Sequence, residues 1–152
     1  MKYLLFLVFA ALMTGCHYLM GEDGTAADVA ERWAEAYFRC DYHEAEKLCT
    51  PESRRWLQFA ASNTTQHDLD LIGERVVKVE FDDFFPQRND TMMTVRLRVS
   101  HYLKPAAIGL KSTLGEDGVF DIVVVKRHDQ WQVRMEGLPR SGRQSRDAGS
   151  DE

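Results

Sequence analysis

The chain has 152 residues, enough for one domain after a leader is removed, and three tryptophans to fill its core. A formal net charge of −5 and a pI near 5.5 argue against a nucleic-acid partner, which would require a basic stripe. The three cysteines form no Cys-x-x-Cys pair and no Cys/His ligand set, so we expect no metal site and no cofactor.

The first fifteen residues have the layout of a secretory signal peptide. Lys2 provides a positive charge, and an apolar run extends from Leu4 to Met13. That run is about half of the roughly twenty residues that a bilayer span needs, so a permanent transmembrane helix is not expected. We therefore assign residues 1–15 to a signal peptide.

The residues around Cys16 refine this prediction. The run Met13-Thr14-Gly15-Cys16 resembles the bacterial lipobox, which implies cleavage before Cys16 and lipidation of its thiol. The alternative is an ordinary secretory signal with an incidental cysteine. Residues 16–24 then form a tether, and a lipid anchor would hold the protein in the cell envelope. His17 stands where an inner-membrane retention signal has aspartate, which favours the outer membrane.

Three helices are predicted next. Thr25 and Asp28 form a capping-box pattern, and apolar residues recur at helical spacing to about Arg39. Asp41 begins a second, short helix with Glu44 in the matching place. Thr50-Pro51 begins a third, which ends near Asn63, because proline is tolerated at the first helical position.

From Leu71 onward the apolar period changes to two, which predicts four strands. Between them we expect a turn over Asp83–Asp90, a longer loop over Lys104–Gly118 and a tight turn at His128-Asp129. The predicted inward positions include Val77, Val79 and Phe81 on the first strand and Met93, Val95, Leu97, Val99 and His101 on the second. The prediction is an α+β domain over residues 25–138, its helices packed on one face of an antiparallel sheet, followed by a disordered tail over residues 139–152.

Four short runs carry a resemblance to a known superfamily. They are Val29-x-x-x-Trp33-x-x-x-Tyr37, Cys40-Asp41-Tyr42-x-x-Ala45, Thr50-Pro51-Glu52 and Val123-Val124-Val125-Lys126-x-x-x-x-Trp131-x-Val133. Together they resemble the nuclear-transport-factor-2-like (cystatin-like cone) domains, in particular small bacterial lipoproteins of unknown function. The resemblance covers about Ala26 to Met135 and implies a curved sheet around a long helix, with a pocket at the open end. Because this fold carries many functions, it implies no single activity.

Six residues are candidates for lining such a pocket. They are Trp33, Tyr37, Trp56, His101, Asp121 and Trp131. Isomerase-type chemistry would need a carboxylate base facing a tyrosine or a protonated acid, which adds Tyr42, Tyr102 and Glu136 as candidates. None of these lies in a catalytic motif of the superfamily, so no catalytic residue is assigned. Trp33 and Tyr37 are equally typical of a core helix face, and His101 of a solvated strand end.

Three functions remain open. The first is a membrane-anchored, non-catalytic lipoprotein that binds a small apolar ligand or a protein partner. The second is a pocket enzyme, isomerase-like or dehydratase-like, acting on a small hydrophobic molecule. The third is a structural module that forms a homodimer through its sheet face. A disulfide between Cys40 and Cys49 is permitted by an oxidising envelope, and two free thiols are the alternative.

Overall fold

The computed structural model of the protein describes residues 24–73, 75–87, 90–104 and 111–142. The predicted signal peptide, Cys16, residues 16–23 of the tether and residues 143–152 of the predicted tail lie outside the described residues. Within the described ranges, no helix has both the length and the apolar character needed to cross a membrane.

The helices precede the sheet in the chain. Helix α1 spans Ala26–Phe38, α2 Tyr42–Lys47, α3 Arg54–Asn63 and α4 Gln66–Gly73, with a 3₁₀ turn over Pro51–Ser53 before α3. The first three confirm the prediction. In the capping box of α1, the Asp28 amide donates to Thr25 Oγ1 at 3.2 Å and the Thr25 amide donates to Asp28 Oδ2 at 2.8 Å. These bonds satisfy amides that have no partner inside the helix.

Helix α4 was not predicted. The sequence places the start of the alternating pattern at Leu71, whereas Leu71 and Ile72 form the last turn of this helix. Its N-terminus repeats the capping box, with the Thr65 amide donating to Asp68 Oδ2 at 2.8 Å. The sequence therefore contains one local signal for α4, the capping pattern Thr65-x-x-Asp68. The helix that follows has too few apolar residues to show helical periodicity.

Four antiparallel strands form one sheet in the order β1-β2-β3-β4. Strand β1 spans Lys78–Pro86, β2 Met92–Lys104, β3 Thr113–Arg127 and β4 Gln130–Val133. Helix α1 packs on one face of the sheet, and the core between them includes the fully buried side chains of Trp33, Leu97, Val95, Val124 and Val133. The α+β prediction is confirmed.

The edge strand β1 differs from its prediction. It continues through Pro86, so the turn predicted over Asp83–Asp90 begins too early; proline is tolerated here because an edge strand has unpaired amides. A bulge between Phe81 and Asp83 shifts the register, and Phe81 is 44% exposed although the alternation had placed it inward. Phe84 and Phe85 are also exposed.

The second difference lies at the far end of β2. His101 has a positive φ of 59°, and the next residue, Tyr102, occupies the buried side at 4% exposure. The prediction that His101 faces the core is therefore wrong, because the backbone conformation at His101 interrupts the alternation. A left-handed residue inside a strand cannot be read from a period of two.

The third difference concerns the loop predicted over Lys104–Gly118. Strand β3 begins at Thr113, so Gly115 and Gly118 lie within it. A Cβ atom on Gly115 would lie 2.5 Å from Tyr102 Cζ, and one on Gly118 would lie 2.7 Å from Tyr102 Cε1. Both glycines therefore mark a close approach of the Tyr102 ring to β3, which is a common reason for glycine inside a strand.

Beyond β4 the chain stays ordered past the predicted domain boundary at residue 138. Ser141 is 1% exposed, and the Gly142 amide donates to the Val119 carbonyl at 3.0 Å. This burial and backbone pairing extend the ordered domain through residue 142.

Candidate functional site

A cavity of about 120 Å³ lies beside the C-terminal end of α1. Three rings form its apolar floor: the Phe38 centroid is 4.6 Å from that of Phe120 and 6.0 Å from that of Tyr102, and the Tyr102 and Phe120 centroids are 5.0 Å apart. The remaining lining residues are Tyr37, Cys40, Tyr42, Ala60, Asn63, Thr64, Asp68, Leu103, Ser112, Leu138 and Pro139. The end of α1, the capped helices and the C-terminal segment thus enclose a mainly apolar space.

The phenols of Tyr37 and Tyr42 form the helical wall of the cavity. Tyr42 Oη lies 2.9 Å from Thr64 Oγ1, and the Thr64 hydroxyl donates its hydrogen to the Ala60 carbonyl at 2.9 Å. Tyr42 is therefore the donor in its bond to Thr64. Burial is the main cause that raises the pKa of both phenols well above the ordinary value, so both stay neutral across the physiological range.

Cys40 contributes a thiol to the same wall. It follows α1 with a positive φ of 62°, the left-handed conformation that ends many helices and usually takes glycine. Burial raises the pKa of the Cys40 thiol, which reduces the fraction present as the reactive thiolate. Cys40 is therefore a weakly polar lining group at ordinary pH.

Asp68 is the one carboxylate among the described lining residues, and it is 4% exposed. Its Oδ2 accepts from the Thr65 amide at 2.8 Å and from the Thr65 hydroxyl at 2.9 Å. Burial acts to raise the pKa of Asp68, but the hydrogen bonds from Thr65 and Ser112 outweigh it and hold the pKa below its ordinary value. Asp68 is therefore an ionised group in a buried wall.

Of the six residues predicted to line a pocket, Tyr37 lies at this cavity. Trp33 is fully buried in the core, where its Nε1 donates to Cys49 Sγ at 3.0 Å and its ring stacks on Tyr37 at 4.9 Å. Trp56 is half-buried on α3, with the Arg55 guanidinium 5.1 Å from its ring centroid. Neither tryptophan lines this cavity, but Trp33 borders a second, more open pocket of about 210 Å³ together with Asp121 and Glu136.

The other three predicted residues lie elsewhere on the sheet. His101 is half-buried, and its Nδ1 lies 3.2 Å from the Val76 carbonyl, which identifies Nδ1 as the protonated nitrogen of that bond. Asp121 is exposed on the opposite face of the sheet, where it accepts two bonds from Arg96 at 2.8 and 3.0 Å. Trp131 lies on β4 beside a shallow groove that also touches Gly24.

Some of the residues predicted as acid–base candidates line the cavity, and one lies away from it. Tyr42 and Tyr102 join Tyr37 at the cavity, and the exposed Glu136 pairs with Arg134 at 2.8 Å. Asp68, Ser112 and Phe38 line the cavity but are not among the residues predicted from the sequence. For Asp68 a signal existed in the capping pattern with Thr65, whereas nothing local marks Ser112, which only the folding of β3 brings to the site.

The two cysteines are free thiols in separate surroundings. Cys49 is buried against Trp33, and Cys40 lines the cavity. Burial raises the pKa of Cys49 to about 12, despite the bond from Trp33. In the part of the chain that the structure describes, no group of three or more His, Cys, Asp or Glu side chains is arranged to hold a metal ion.

No protein-family model matches this chain, and no curated protein does either. It is similar to an NTF-2-like protein of unknown function from Shewanella oneidensis MR-1, with a TM-score of 0.41 and 13% identity over 70% of this chain and 88% of that one. It is also similar to an Ntf2-like protein involved in plasmid conjugation, with a TM-score of 0.35 and 16% identity over 76% of this chain and 47% of that one. The chain thus spans about half the length of the second structure.

Proposed function

We propose that this protein is a membrane-anchored, non-catalytic envelope lipoprotein whose cone-shaped domain binds a small, mainly apolar molecule. The cavity beside α1 is the observation that carries the proposal. Its volume of about 120 Å³ is close to that of apolar cavities, near 150 Å³, that bind a single benzene ring. It is smaller than the roughly 300–1,000 Å³ of sites for drug-sized ligands, so one ring or one compact group fills it.

The chemistry of the wall supports binding over catalysis. A general base needs a free lone pair within reach of the substrate and a pKa near the working pH. Asp68 instead caps α4 through Thr65, and its pKa is below the ordinary value. Tyr37 and Tyr42 stay protonated because burial raises their pKa values. The described lining residues therefore lack a group suited to taking up a proton near neutral pH.

The outer face of the sheet does not favour the structural dimer. Side chains there form ion pairs and polar bonds: Arg96 with Asp121, Arg98 with Asp82 at 3.3 Å, and Ser100 with Asp117 at 2.6 Å. A stable dimer through this face would have to desolvate these charges, whereas the cores of homodimer interfaces are mainly apolar. A binding role for the cavity is therefore better supported than self-association through this charged part of the face, although Phe81, Phe84 and Phe85 are exposed on the neighbouring strand β1.

A thermal-unfolding series tests the binding. We expect benzene to raise the melting temperature of the wild-type protein, because a ligand that binds only the folded state stabilises it. Ala60→Leu would fill the cavity and abolish the shift. Ala61→Leu, on the exposed side of the same helix, is the matched control and should keep it. Absence of any shift in the wild type and in the control would refute a ring-sized ligand site.

The anchor is tested separately in a bacterial host. The lipobox pattern predicts incorporation of labelled palmitate at Cys16, and Cys16→Ser should release the protein from the membrane fraction. Cys40→Ser should leave the label unchanged. Labelling that persists in Cys16→Ser, or a wild-type chain that carries none, would contradict the anchor.

A further inference from the structure

The charge of the cavity wall narrows the class of ligand. Asp68 is ionised there, and the described lining residues include no lysine, arginine or histidine. His67 acts on Asp68 electrostatically, but its side chain is exposed, as are those of Lys104 and Lys111, which follow and precede the lining residues Leu103 and Ser112. Arg39 and Arg140, which adjoin the lining residues Cys40 and Pro139, are exposed as well, and exposed cations are screened by water, so Asp68 supplies the one charge within the described wall. An anionic ligand would be repelled.

The aromatic rings of the wall, like the carboxylate of Asp68, favour a positively charged ligand. Five of the lining residues are aromatic: Tyr37, Phe38, Tyr42, Tyr102 and Phe120. The face of an aromatic ring carries partial negative charge, and groups of such rings attract cations, most strongly where water is excluded. A carboxylate and several rings around one space therefore both stabilise a positive charge.

The hydrogen bonding around Asp68 favours a quaternary ammonium over a primary ammonium. The Oδ2 atom of Asp68 already accepts from the Thr65 amide and from the Thr65 hydroxyl. A primary ammonium brings three N–H donors, and a mainly apolar wall offers few acceptors to replace the water that they lose. A quaternary ammonium has no N–H donor, presents methyl groups to an apolar wall and still feels the carboxylate charge.

From this juxtaposition we propose that the cavity binds a quaternary ammonium group, held by the charge of Asp68 and by the surrounding aromatic rings. The inference rests on the proposed binding function and specifies its ligand class. A trimethylammonium head is compact enough for a cavity of about 120 Å³, and the remainder of the ligand would extend through the opening.

An isosteric pair of probes tests the charge. Choline and 3,3-dimethylbutan-1-ol have the same shape and differ in that a quaternary nitrogen replaces a quaternary carbon. Binding to the full chain is measured by titration calorimetry at one ionic strength, set with sodium chloride. We expect choline to bind about tenfold more tightly or better, the scale of a desolvated cation–aromatic contact together with the carboxylate charge.

Two variants locate the source of any preference. Asp68→Asn keeps an acceptor for the Thr65 bonds but removes the charge, and should reduce the preference for choline to the part that the aromatic rings supply. Asp70→Asn removes the same charge from an exposed position on α4, where Asp70 accepts from Gln66 at 2.8 Å, and should keep the preference for choline. The comparison of the two probes on the wild type decides the question even if Asp68→Asn does not fold.

The outcomes separate this inference from the function on which it rests. If the neutral probe or benzene binds the wild type at least as tightly as choline, the cavity is a ligand site but the quaternary ammonium assignment is wrong. If Asp68→Asn folds and keeps the full wild-type preference for choline, the assigned role of Asp68 is wrong. If choline, the neutral probe and benzene all fail to bind, the proposed function fails as well.

Discussion

The carboxylate of Asp68 has two roles, and both depend on the hydrogen bonds from Thr65 that orient it. It caps α4 through Thr65, and it supplies the negative charge of the cavity wall. The cap fixes the side chain, and the position of α4 against the cavity then determines where the charge lies. A residue that first serves local helix geometry thus also defines the electrostatics of the site.

Asp68 should make stability depend on pH in the acid range. Its folded-state pKa is lower than the ordinary value of 3.8, so the unfolded chain takes up a proton first as the pH falls. The stabilisation is complete above about pH 5, begins to decline near the unfolded-state pKa and is lost as the pH falls through the folded-state value. We expect Asp68→Asn to flatten this part of the pH profile of the free energy of unfolding. Urea denaturation between pH 2 and about 7 measures it, and a slope as steep as that of the wild type would contradict the prediction.

At the scale of elements, two short backbone features fix how the strands run. The β3–β4 hairpin turns at His128 and Asp129, both with positive φ, 50° and 64°. A two-residue turn with two left-handed residues matches the right-handed twist of the strands, and asparagine followed by glycine suits it best. Because His128 and Asp129 both have a Cβ atom, their positive φ angles place local strain on this tight turn.

The strain at the hairpin predicts a stabilising change. His128→Asn combined with Asp129→Gly should raise the free energy of unfolding by about 1 kcal/mol, because glycine adopts positive φ without a Cβ clash. The pair Lys126–Asp129, 3.8 Å apart and exposed, contributes little that would be lost. Chemical denaturation measures the change, with His128→Ala as a control expected to show no gain. An unchanged or lower denaturation midpoint would show that the turn is not strained.

The close packing of Tyr102 on β3 predicts a loss of binding. Gly115→Ala places a Cβ where it would lie 2.5 Å from Tyr102 Cζ, so the ring must move away from the strand. Because Tyr102 lines the cavity, we expect the space to shrink and the benzene-induced thermal shift to decrease. Gly73→Ala is the control, because no atom lies within 4 Å of its added Cβ. A thermal shift that Gly115→Ala leaves intact would mean that Tyr102 does not limit the cavity.

At the scale of the whole molecule, one buried serine joins the two ends of the domain. Ser53 Oγ accepts from the Met135 amide at 2.8 Å and donates to the Val133 carbonyl at 3.3 Å, and Thr50 Oγ1 lies 2.9 Å away. The Thr50 amide adds a backbone bond to the same carbonyl at 2.9 Å. The helical half and the last strand are therefore linked by bonds between residues far apart in sequence.

This link predicts a large effect from a small substitution. Ser53→Ala removes one oxygen and leaves the buried Met135 amide without its partner, which should lower the free energy of unfolding by about 1–3 kcal/mol. Ser62→Ala, which removes an exposed hydroxyl that donates to the Phe59 carbonyl at 2.9 Å, should change it by less than about 0.5 kcal/mol. Equal denaturation midpoints for the two variants would show that the link does not stabilise the domain.

Local sequence determined the elements that depend on nearest neighbours. The capping residues Thr25 and Asp41, the turn at His128-Asp129 and the alternation through Val95, Leu97 and Val99 each act within a few residues, and each prediction is confirmed. These signals were enough for the α+β class. They failed where the alternation of buried and exposed side chains is interrupted. This happens at Phe81 beside the bulge and at His101, whose left-handed backbone puts Tyr102 on the buried side.

Only the tertiary structure determined which residues form the cavity. Its wall joins Tyr37 on α1, Asp68 on α4, and Tyr102 and Ser112 from the sheet, residues that no sequence spacing relates. Whether an aromatic side chain faces a core or a cavity depends on what packs opposite to it: Trp33 and Tyr37 lie one turn apart on the same helix, yet Trp33 meets Cys49 and Tyr37 meets the open space. Periodicity specifies which face of an element is apolar, whereas only the packed fold specifies what that face encloses.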